Sequence, residues 1–95
     1  MTAPSLSAIR ELIRTLHGCG SRHVEMIEVR VPAKGRPLWS GPVHVFELDG
    51  WLAGTRCYAW ARQPGKRGPR NIAVVLHKGR VGSPRAAVLH DLGRG

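Results

Sequence analysis

Six cations stand on two short stretches rich in glycine and proline. Lys34 and Arg36 lie in residues 32–38, Pro-Ala-Lys-Gly-Arg-Pro-Leu. Arg62, Lys66, Arg67 and Arg70 lie in residues 62–70, Arg-Gln-Pro-Gly-Lys-Arg-Gly-Pro-Arg. Cationic side chains on loops with free backbone N–H groups are suited to gripping phosphates. These six are therefore the candidate nucleic-acid-binding residues. A compositional explanation competes: twelve of the fifteen cations are Arg, so an Arg-rich genome could place such charge on any wet loop.

Other residue groupings carry less. His17, Cys19 and His23 are close in sequence and metal-capable, but lack the second ligand pair of a zinc site. Cys57 and His44 could pair as thiol and base, yet nothing supplies an orienting acid or an oxyanion hole. Glu25, Glu28 and Glu47 fall on strand-like segments and form no acid–base pair. Gly79-Arg80-Val81-Gly82 lacks the Gly-Lys-Ser/Thr ending of a phosphate loop. Trp39, Tyr58 and Trp60 could stack on bases, although aromatic residues in strands more often build a core. No catalytic residue, metal ligand or cofactor is assigned, and a binding module rather than an enzyme is expected.

The charge is asymmetric. The chain has 95 residues, a net charge of +9 and an isoelectric point near 11.3. Residues 1–49 contribute +1 and residues 50–95 contribute +8. A one-sided excess of this kind suits a polyanionic partner. Apolar residues make up 42% and charged residues 22%, ordinary values for a globular chain. No run is long enough for a signal peptide or a membrane span, so a cytoplasmic protein without a membrane partner is expected. Two widely spaced cysteines then read as free thiols.

The elements follow from periodicity. Leu6, Ile9, Ile13 and Leu16 recur at helical spacing, with Leu12 beside them, between a Ser5 cap and Gly18. Residues 24–31 read as a strand whose apolar phase switches, which predicts a bulge near Met26. Residues 43–48 and 55–62 read as two further strands around an Asp49-Gly50 turn signal. Cys57, Ala59 and Ala61 leave one face of the latter small enough for a helix to approach. Residues 72–77, Ile-Ala-Val-Val-Leu-His, read as a strand buried on both faces. In a meander it would nevertheless be the edge, free to pair with another chain. Ser83-Pro84 opens a short helix that Gly93 ends.

The expected fold is α+β, in the order α-β-β-β-β-α. It has an antiparallel sheet of three to four strands with an N-terminal and a short C-terminal helix. One domain spans 1–95, with flexible ends at 1–4 and 93–95. In a meander, loops 32–38 and 62–70 fall at the same end of the sheet. DNA or RNA is the expected partner there. The alternative is a protein-interaction or homodimerisation module using the edge of strand 72–77.

Two resemblances add to this reading. Gly41-Pro42-Val43-His44 resembles the Gly-Pro-x-His loop of double-stranded RNA-binding domains, and the element order is similar. The second helix lacks that family's Lys-rich opening, and the strand at 72–77 is additional. The chain also resembles a family of short uncharacterised bacterial proteins. The shared pattern is Trp39-x-Gly41-x-Val43-x-Val45-Phe46-x-Leu48, then Arg56-Cys57-Tyr58-Ala59-Trp60, Ala73-Val74-Val75-Leu76 and Ser83-Pro84-x-x-Ala87-Val88. That resemblance implies a single fold and no particular activity.

Overall fold

Local capping sets the ends of the first helix, α1 (Leu6–His17). The Ser5 hydroxyl accepts from the Ala8 N–H at 3.1 Å. Gly18, at φ 70°, donates its N–H to the Arg14 carbonyl at 2.8 Å. A left-handed backbone at this position favours glycine. Of the expected apolar stripe only Ile9 and Ile13 are fully buried, while Leu6 and Leu16 stay exposed. The helix therefore meets the sheet through its middle two turns. A computed structural model describes residues 5–35, 37–49, 55–63, 66, 69–79 and 81–93.

Four antiparallel strands follow: β1 (Ser21–Val31), β2 (Trp39–Leu48), β3 (Arg56–Ala61) and β4 (Ile72–Leu76). They pair in sequence order, so the sheet is a meander. A single 3-10 turn, Pro69–Asn71, precedes β4. The second helix, α2 (Pro84–Asp91), starts at Ser83, whose hydroxyl accepts from the Ala86 N–H at 3.1 Å. The order is α-β-β-β-β-α and the class α+β, as the periodicity predicts.

β1 and β2 are longer than expected, reaching back to Ser21 and Trp39. Gly41 and Pro42 hide the start of β2 from a propensity argument. Here Gly41 has a φ of 154°, and a Cβ on it would lie 3.3 Å from the Trp39 ring. The glycine thus makes room for the indole. The bulge in β1 falls between His23 and Glu25, slightly earlier than Met26. At that place it brings Val24 into the same cluster as Ile27, Val29 and Val31.

The two helices cover opposite faces of the sheet. Ile9 and Ile13 of α1 cluster with Phe46, Leu48, Cys57 and Ala59. The small residues of β3 are indeed where a helix packs. Ala87 and Val88 of α2 cluster with Val43, Val45, Tyr58 and Trp60. This explains the apolar run of β4. It is an edge strand, yet Val74 packs with the α1 cluster and Val75 with the α2 cluster. Both faces are covered while the edge stays open.

The Gly50 half of the turn signal, Trp51 and Leu52 lie outside the described residues, as do residues 1–4 and, of the expected flexible end at 93–95, residues 94–95. Among the described residues no helix is long and apolar enough to cross a membrane.

Candidate nucleic-acid interface

The β1–β2 and β3–β4 connections leave the sheet at the same end, because successive strands alternate in direction. Two bonds hold that end together. The Leu38 N–H donates to the Val31 carbonyl at 2.8 Å and closes loop 32–37. The Trp39 indole N–H donates to the Ala61 carbonyl at 3.0 Å, tying the start of β2 to the end of β3.

Asn71 organises the longer loop, and it is the residue that sequence reasoning missed. Its carbonyl accepts from the Arg62 N–H at 2.8 Å and its Oδ1 from the Gln63 N–H at 3.0 Å. Its Nδ2 donates to the carbonyls of Gln63 and Lys66 at 2.9 and 3.1 Å. An asparagine side chain that mimics backbone partners is a common way to fix a turn. The available signal was a lone Asn between a Gly/Pro-rich loop and an apolar strand.

The candidate cations divide into three groups. Lys34, Lys66 and Arg70 are exposed, and none of them forms an ion pair among the described residues. Arg62 is different. Its Nε and Nη2 donate to the two carboxylate oxygens of Asp91 at 3.0 and 2.9 Å. That hydrogen-bonded carboxylate raises the guanidinium pKa above its ordinary value. Arg62 therefore anchors α2 as well as contributing charge. Arg36 and Arg67 lie outside the described residues.

The opposite end of the sheet has cations too, and two of them share a carboxylate. Arg22 reaches Glu47 at 3.0 Å, and Arg56 lies 4.0 Å from the same carboxylate. Lys78, just past β4 at that same end, is exposed and forms no ion pair among the described residues, so unpaired positive charge is gathered at the loop end but not confined to it; Arg30 and Arg85 are also exposed at the loop end. Arg85 donates to the Arg30 carbonyl at 2.7 Å, which fixes the start of α2 beside β1. A groove of about 460 Å³ lies at this end, between the Arg62–Asp91 pair, Gln63, Val88 and Leu92, with Trp39 and Trp60 as its floor.

The aromatic platform is not formed. Trp39, Tyr58 and Trp60 are 7%, 3% and 1% exposed, too little for a base to stack on them. Trp39 and Trp60 instead meet edge to face at 6.3 Å between ring centroids. The Tyr58 hydroxyl is spent on His77 Nδ1 at 2.6 Å.

The remaining chemical groupings also resolve. Cys57 is fully buried, and burial pushes its thiol up to about 12, with Cys19 adding to the effect. It is no nucleophile near neutral pH. His17, Cys19 and His23 do not assemble: no group of three His, Cys, Asp or Glu could hold a metal among the described residues. His23 instead faces His44 across the β1–β2 ladder, with His23 Nε2 and His44 Nδ1 3.2 Å apart. Burial, with the charge of His23 second, lowers the pKa of His44.

No family model, no curated protein and no solved structure matches the chain.

Proposed function

We propose that this protein binds nucleic acid through the phosphate backbone at the loop end of its sheet. One observation carries the reading: Lys34, Lys66 and Arg70 are exposed together at that end without ion pairs among the described residues, whereas at the other end Arg22 and Arg56 share Glu47 and Lys78 is unpaired. Contacts of this kind read charge and backbone spacing, not base identity. Little sequence preference is therefore expected.

The experiment is a titration with labelled single- and double-stranded DNA and RNA at several salt concentrations. The expected affinity falls steeply with salt. Changing Lys34, Lys66 and Arg70 together to Ser should flatten the plot of log K against log salt by about 3, roughly one unit per phosphate contact. Equal affinity and equal slope for the triple variant would sink the proposal.

A second reading is favoured by the β4 edge. Arg62 and His77 donate to the Asn71 and Arg56 carbonyls, so in this register Ala73 and Val75 also bond to β3. The N–H and C=O groups of Ile72, Val74 and Leu76 then point outward along an uncharged edge. An edge of this kind supports pairing with a second copy of the chain.

A further inference from the structure

We propose that His23, His44 and Met26 form a site for a single cuprous ion on the α1 side of the sheet, beyond the part of that face that α1 covers. Three observations on β1 and β2 converge there. The first is the His23 Nε2 to His44 Nδ1 separation of 3.2 Å. Two imidazole nitrogens, each roughly 2.0–2.1 Å from a shared metal, lie at such a separation when the angle at the metal is about 100°. The nitrogen separation matches that of two ligands on one ion.

The second observation is the position of Met26. It pairs directly with His44 across the ladder, so the two side chains share a face. Directly opposite residues have Cβ atoms about 4.5–5.5 Å apart, within reach of a flexible thioether. Met26 is 48% exposed, so its sulfur is not committed to the core. His44 therefore stands between a second imidazole and a thioether.

The third is the backing of the two rings. Phe46 is fully buried and meets His23 edge to face at 5.2 Å between centroids. It also lies 6.5 Å from His44 between centroids. A rigid apolar floor limits how the imidazoles can turn away. Fixing the orientation of ligand rings raises metal affinity.

The bulge between His23 and Glu25 makes the arrangement possible. It resets the register so that His23 faces Phe46 and Met26 faces His44.

The donor set selects the metal. Zinc and magnesium do not favour a thioether, whereas monovalent copper accepts two imidazoles and a methionine sulfur. Binding needs a change of tautomer and a turn of the two rings toward the metal. In the empty pair one ring donates its proton to the other, and in the loaded site that proton moves to the ring's second nitrogen. Both facing lone pairs are then free for the metal, and no net proton or electron is exchanged with solvent.

The test is an anaerobic titration of the full chain with Cu(I) in competition with a chromogenic chelator. It is run in parallel on Cys19→Ser, which removes the only partly buried thiol. One equivalent should bind, with X-ray absorption showing a directly bound sulfur in both proteins. Met26→Leu, at an exposed position, should keep the fold, lose the sulfur signal and weaken binding by about tenfold or more. His44→Phe should abolish stoichiometric binding. Binding that is absent from the full chain, lost in Cys19→Ser, or unchanged in Met26→Leu would overturn the proposal. So would equal competition by Zn(II) that ignores the loss of Met26.

Discussion

A single buried sulfur makes the most direct prediction at the residue scale. Cys57 has no exposed surface, and its thiol is held near 12 against an ordinary value of 9.0. The unfolded chain releases this proton at about pH 9 while the folded chain keeps it. Between those values the native state binds more protons, so stability is full below pH 9 and declines as pH rises toward 12. The limiting slope for one such group is about 1.4 kcal/mol per pH unit. Burial also raises the Tyr58 hydroxyl above its ordinary value of 10.0, so the single profile is not diagnostic. Urea unfolding of wild type and Cys57→Ala at pH 8 and pH 10.5 separates the effects. The variant should be less stable at pH 8 because of the cavity it leaves. Its disadvantage should shrink at pH 10.5, and a constant difference would show that Cys57 does not supply the alkaline loss.

At the scale of elements, the Arg62–Asp91 pair makes one prediction. It joins the end of β3 to the last turn of α2 at the centre of the basic end. An exposed pair of good geometry contributes about 0.5–1 kcal/mol, and its carboxylate cancels one of the clustered cations. Asp91→Asn keeps the side-chain volume and raises the net charge by one. It should lower the urea stability by no more than about 1 kcal/mol while tightening nucleic-acid binding several-fold at low salt. Weaker binding by a well-folded variant would mean that Arg62 matters through the position of α2 and not through its charge. That pair could not be read from sequence, because Arg62 and Asp91 are 29 residues apart. The helices themselves were legible. Ser5, Gly18, Ser83 and Pro84 are local signals that act within a few residues of where they stand. Asn71 shows the opposite case. Its side chain gains meaning only when the chain doubles back to Gln63 and Lys66, and nothing in its immediate neighbours announces that return. The Trp39–Trp60 contact is similar: it depends on α2, which packs on the face that both rings share and which lies more than twenty residues away in sequence.

For the molecule as a whole, the two sheet edges differ in a way that can be tested. The β1 edge carries exposed Arg22, Glu25, Glu28 and Arg30 and a bulge, features that discourage strand addition. The β4 edge carries five apolar residues and no charge. The sequence posed this as a conflict between burial on both faces and an edge position. Helices on opposite faces resolve the burial and leave the edge. The outward groups of Ile72, Val74 and Leu76 are self-complementary about Val74: an antiparallel partner would set Ile72 against Leu76 and Val74 against its own copy. The same register sets Arg70 against the partner's Lys78, so like charges oppose each other at both ends of the joint. Dimerisation through β4 should therefore strengthen with salt, which is the opposite of the dependence expected for phosphate binding. Sedimentation at rising salt should show the mass move from 10.4 kDa toward twice that value. Val74→Pro removes an outward N–H and no bond to β3, so it should hold the protein at one copy under every condition. A wild-type mass that stays at one copy from low to high salt would remove the dimer reading and leave the basic end as the only proposed interaction surface.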